Sequence, residues 1–137
     1  MGLRTWVYQT LNNDSDLNAL IGQRIFAKRS MKSMMEDHPY LVYKMGNDTN
    51  EGLTEDELVT PHRHFFQIYI HDYSDEKSGD YLQIDEIESK LKALLQGQSS
   101  AENDILNIEY LETSQDLNDE TLGTVYRYIR FVATLWR

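Results

Sequence analysis

The chain has 137 residues, no cysteine, and 13 Lys and Arg against 23 Asp and Glu, a formal net charge of −10. That length predicts one domain with its own core, and the missing cysteines exclude disulfides and thiolate metal sites and fit a reducing cytoplasm. With its basic residues scattered singly or in pairs such as Lys28-Arg29, the chain lacks the cationic patch that binds nucleic-acid phosphates.

Leu3, Trp6, Val7 and Leu11 fall on one face of a first helix, which Asn12-Asn13-Asp14 interrupts. The start, residues 1–7, carries one positive charge, Arg4, with no continuous apolar run behind it, so no signal peptide is read there. No stretch approaches the roughly 20 apolar residues that span a bilayer. Asp14 or Ser15 can cap a second short helix with Leu17, Leu20 and Ile21, and Gly22 stands where a left-handed cap is expected. A short strand over 24–27 follows, then an irregular stretch over 31–37. Pro39 suits the start of a strand over 40–45, which Gly46 is expected to stop.

Residues 47–61 read as a long polar connection with five acidic residues, Asp48, Glu51, Glu55, Asp56 and Glu57. Its length and lack of an apolar stripe predict a mobile arm with a role in assembly. The strongest strand signal spans 64–73: Phe66, Ile68 and Ile70 point one way, and Phe65, Gln67, Tyr69, His71 and Tyr73 the other. A helix over about 80–96 carries Ile84, Ile87, Leu91, Leu94 and Leu95 on its apolar side, pairs Glu86 with Lys90 and Glu88 with Lys92, and ends at Gly97. After a polar loop at 98–103, a strand over 105–112 begins with Ile105-Leu106, which leaves its inward face open. A second acidic loop at 114–123 leads to a last strand over 124–136. There Val125, Ile129, Phe131, Ala133 and Leu135 oppose Tyr126, Tyr128, Arg130, Val132, Thr134 and Trp136. The class that follows is α+β, an antiparallel and possibly mixed sheet of four to five strands with helices mainly on one face.

Little in the chain points to catalysis. No phosphate-binding, nucleophile-elbow or metalloprotease motif occurs, and acidic pairs such as Asp85-Glu86 read as solvated faces. His62 and His64 share a strand face while His71 points away, which breaks a three-histidine metal site. We therefore expect no enzyme activity, cofactor or metal. The aromatics say more: Phe65, Tyr69, Tyr73, Tyr126, Tyr128 and Trp136 lie on the sheet face away from the aliphatic stripe. That placement suits either a protein–protein contact or a second core layer under the N-terminal helices.

Three segments carry a family resemblance: Leu17 to Phe26 (LNALIGQRIF), Pro39 to Tyr43 (PYLVY) and Tyr126 to Phe131 (YRYIRF). With the helix ending at Gly97, the pattern resembles the tail-completion, or tail-terminator, proteins of long-tailed bacteriophages over nearly the whole chain. The resemblance implies a virion subunit, made in the host cytoplasm, that closes into a ring, commonly a hexamer, on the head-proximal end of the tail tube. Such a ring stops tube polymerisation and joins the tail to the head connector. Its partners would be further copies of itself, the tail tube protein and neck proteins. An acidic conduit would let genome DNA pass without sequence-specific binding. Two other readings stay open: another neck component, such as an adaptor or stopper, and a non-viral protein-binding module.

Overall fold

Leucine and valine at every fourth position make the first helix amphipathic, and burial follows that stripe. In the computed structural model, which describes residues 2–22, 24–27, 39–50, 61–73, 81–119 and 124–136, helix α1 (Leu3–Asn12) buries Leu3, Val7 and Leu11. Asp14 caps the next helix, α2 (Ser15–Ile21): its Oδ2 accepts the Leu17 N–H at 2.8 Å. Gly22 then turns the chain at φ 58°, a conformation that strains any residue with a side chain. The third helix, α3 (Leu82–Leu95), buries Ile84, Ile87, Leu91 and Leu95, with Leu94 only partly covered. Of its two expected ion pairs, Glu88–Lys92 forms at 3.0 Å. Lys90 instead reaches Asp16 at 3.1 Å and ties α3 to α2.

Six strands form one sheet among the described residues: β1 (Ile25–Phe26), β2 (Tyr40–Asn50), β3 (Pro61–Tyr73), β4 (Ile105–Thr113), β5 (Leu117–Asp119) and β6 (Thr124–Trp136). The order is β1-β2-β3-β6-β4, and β5 also pairs with β6. β1 runs parallel to β2 and the other pairs are antiparallel, so the sheet is mixed. The α+β class is as expected. The sheet has more strands than the expected four to five, because β5 lies within the segment read as an acidic loop.

Gly46 does not stop β2. The register with β3 shifts between Met45 and Asp48, and pairing resumes at Asp48–His64, Thr49–Arg63 and Asn50–His62. This is a β-bulge, and glycine suits it because a Cβ at position 46 would lie 3.1 Å from the Phe65 carbonyl oxygen. The polar connection 47–61 is therefore shorter than its composition suggests. Its first four residues and Pro61 belong to strands, since ladder hydrogen bonds satisfy the backbone whatever the side chains are. The expected mobile arm now concerns residues 51–60 alone, which lie outside the described residues, as do 31–37.

Bulges also settle β4. A register shift between Ile105 and Asn107 throws Leu106 out to 50% exposure, so Ile105 and Ile108 both point inward despite their odd spacing. The main core lies between the helices and one sheet face. Leu41 and Tyr43 of β2, Phe66, Ile68 and Ile70 of β3, and Ile129, Phe131 and Ala133 of β6 pack there with residues from all three helices. Phe66 and Phe131 stack at its centre, 5.3 Å apart.

Candidate protein-interaction surface

Directly paired residues of antiparallel strands project from the same face. On the face turned away from the helices, Tyr40, His71 and Tyr126 therefore stand in one row across β2, β3 and β6, and Val42, Tyr69 and Tyr128 in the next. The His71 ring is sandwiched between Tyr40, at 4.8 Å and 3°, and Tyr126, at 4.9 Å and 16°. Tyr69 touches Tyr128 at 5.5 Å and Tyr126 at 6.3 Å, while Phe26 of β1 meets Tyr40 edge-on at 6.0 Å. These spacings fall in the range where ring pairs add about 0.5–1.5 kcal/mol beyond area burial. Tyr40 and His71 are fully buried, whereas Tyr69, Tyr126 and Tyr128 are half-buried.

The next row is polar: Lys44, Gln67, Arg130 and Glu112. Arg130 pairs with Glu112 at 2.9 Å, and Gln67 accepts the Tyr69 hydroxyl at 2.9 Å. Beyond it, Phe65 lies under the Arg63 guanidinium, 5.6 Å from its ring centre. Lys44, Gly46, Asn47, Phe65, Gln67 and Arg130 line a shallow depression of about 500 Å³ beside the β2 bulge.

The predicted aromatic residues whose side chains are described thus share a face but not one patch. Tyr69, Tyr126 and Tyr128 come together; Phe65 stands apart, behind the polar row. Trp136 sits at the far end of β6, paired with Pro61 and 46% exposed. Tyr73 ends β3 opposite Thr124, and its side chain lies outside the described part. The N-terminal helices do not cover this face, because their buried residues join the core on the other one. A small second cluster of Tyr40 and Val42, with Phe26 and Tyr69 packed on it, stands in their place. Among the predicted assembly-loop residues, Asp48 is an exposed β2 residue 3.8 Å from His62 Nδ1. Glu51, Glu55, Asp56 and Glu57 lie outside the described residues.

Sequence reasoning missed the polar hub on the helix side of β6. Arg127 is 14% exposed and holds Asp85 at 2.5 Å and Glu88 at 2.9 Å from α3, and Asp116 at 2.6 Å. Its guanidinium also lies over the Tyr81 ring at 5.4 Å. Burial opposes its charge, but the hydrogen bonds it donates to Asp85, Asp116 and Glu88 outweigh it and raise the guanidinium above the usual arginine range. A signal existed: Arg127 is the one charged residue in the otherwise apolar inward stripe of β6.

Among the described residues, no group of three His, Cys, Asp or Glu side chains is placed to hold a metal ion. No described helix is long and apolar enough to cross a membrane.

Among the described residues the arrangement defines a class: an α+β fold whose helices cover one face of a six-stranded mixed sheet, with a ring-stacked face opposite. A chain in the solved structure titled "Virion of native gene transfer agent (GTA) particle" is similar in fold, with a TM-score of 0.73 and 16% sequence identity over 99% of this chain and 96% of that chain. No protein-family model and no curated protein matches the sequence.

Proposed function

We propose that this chain is a structural subunit of a phage-like virion, and specifically a tail terminator that caps the head-proximal end of the tail tube as a ring. It works by assembly and not by catalysis. The observation that carries this reading is the shared fold, end to end, with a chain of a gene transfer agent virion. The far face adds a surface suited to assembly, half-buried tyrosines in tilted ring contact beside a polar row, of the kind that anchors protein contacts. In such a ring the net negative charge of each copy repels nucleic-acid phosphate and lets a genome slide through. Tail tube protein on one side and a neck protein on the other are the partners.

Electron microscopy of the purified chain mixed with tail tubes tests this. Rings seated on one end of each tube, with further growth halted, are expected. Binding to the head-side connector with no affinity for tube ends would make it an adaptor or stopper instead. A monomer that engages neither would reduce it to a binding module of another kind.

A further inference from the structure

We infer that the two outer edges of the sheet are complementary halves of one head-to-tail contact, the acidic β4–β5 edge of one copy docking on the basic β1–β2 edge of the next. This rests on the self-assembling reading above and names the surface through which it acts. Between Lys92 and Arg127 the sequence holds no Lys or Arg, and this stretch supplies both β4 and β5. Glu112 and Asp116 are engaged within the subunit by Arg130 and Arg127. Glu102, Asp104 and Glu109 remain exposed along that edge.

Among the described residues the opposite edge has the other sign. Arg24 precedes β1, Lys44 is exposed on β2, and Arg63 stands one strand further in. The one carboxylate among the described β2 side chains, Asp48, faces the helix side beside His62. Lys44 and Glu109 project from the same sheet face, one row of paired residues apart.

Both edges also offer backbone. β1 pairs only with Leu41 and Val42, so the rest of the β2 edge has no partner strand among the described residues, and β4 is likewise outermost. Such edges accept another chain unless something blocks them. Here charge decides which chain. Two β4 edges repel each other, and so do two β2 edges, whereas unlike edges attract. A two-fold dimer through like edges is disfavoured. The head-to-tail contact that remains repeats from copy to copy and closes into a ring when the rotation permits.

Sedimentation velocity on the full chain, at low and high salt and with tail tubes as template, tests the pairing. Lys44→Glu and Glu109→Lys should each weaken self-association about tenfold or more, and Glu109→Gln by less. An equimolar mixture of the two reversals should recover it, because alternating copies again present opposite charges at every contact. High salt should weaken the wild-type contact. Both side chains are exposed, so melting temperatures should match wild type and confirm that each variant folds. Wild-type association that neither reversal changes, or a mixture no better than its components, overturns the edge pairing and leaves the ring standing. A wild-type chain that never self-associates, even on tubes, overturns both.

Discussion

The two faces of the sheet are built from the same strands one residue out of phase, yet they are held in different ways. On the helix side, Phe66, Ile68, Ile70, Ile129 and Phe131 are fully buried against three helices, and the contact is apolar. On the far side, Tyr40 and His71 are buried inside a ring stack whose outer members, Tyr69, Tyr126 and Tyr128, stay half-buried, and a row of Lys44, Gln67, Arg130 and Glu112 separates them from Phe65. The first arrangement maximises burial and so carries folding stability. The second fixes the orientation of Tyr69, Tyr126 and Tyr128 while leaving them partly exposed, which would lower the entropy a partner must overcome to bind them.

The sharpest way to break that comparison is to hollow out the helix side. Leu91 is fully buried on α3, and Leu91→Ala should destabilise the fold by about 2–5 kcal/mol through lost transfer energy and the cavity left behind. Thermal unfolding measures it. A loss under about 0.5 kcal/mol would mean that the core does not rest on this helix.

A smaller effect is expected where the helix side turns polar. Arg127→Leu strands Glu88, itself 18% exposed, together with Asp85 and Asp116, which are about half exposed. Solvent partly screens the last two, so the loss should be about 1–3 kcal/mol, below that of a fully buried pair. Arg127→Lys keeps the charge but not the fork that reaches three carboxylates, and should recover only part of the loss in a denaturant titration.

On the far side the balance should invert. Tyr128→Ala removes one ring contact at 5.5 Å and should cost about 1 kcal/mol or less in stability, yet abolish capping of tail tubes in the microscopy assay. Normal capping would move the contact surface off the tyrosines. A loss as large as that of Leu91→Ala would make this face a second core.

Parity made both faces legible: the split of Phe66, Ile68 and Ile70 from Phe65, Tyr69 and Tyr73 follows from period two, and the α3 stripe from period 3.6. The bulges were not legible. Gly46 reads as a terminator because a glycine that ends a strand and one that sits in a bulge look alike in sequence. Only the partner backbone, with the Phe65 oxygen 3.1 Å from a would-be Cβ, tells them apart. The same limit hid the Tyr40–His71–Tyr126 stack. His71 and Tyr126 could be assigned a face and Tyr40 only a strand, but which rings meet depends on the register between strands, which long polar connections leave open.

The least disruptive probe leaves every side chain in place and raises the pH. Two groups bordering the Arg127 hub hold their protons more tightly when folded. Burial raises the Tyr81 phenol above its usual 10.0, and the Asp116 charge adds to this, while Arg127 pulls the other way. For Lys92 burial opposes the charge, but its bond to Glu88, with help from Tyr110, lifts the ammonium above 10.5. Both folded values are raised, so the folded state binds more protons than the unfolded one as pH passes 10, and stability falls with rising pH there. The contribution should be fully present below about pH 10 and disappear as each folded value is passed, with no change from this source near neutrality. Tyr81→Phe removes the phenol and its hydrogen bond to the Leu117 carbonyl at 3.1 Å. The variant should be slightly less stable at neutral pH and show a shallower alkaline decline. An equally steep decline in chemical denaturation between pH 9 and 11 would assign the alkaline loss to Lys92 and clear the phenol of any part in it.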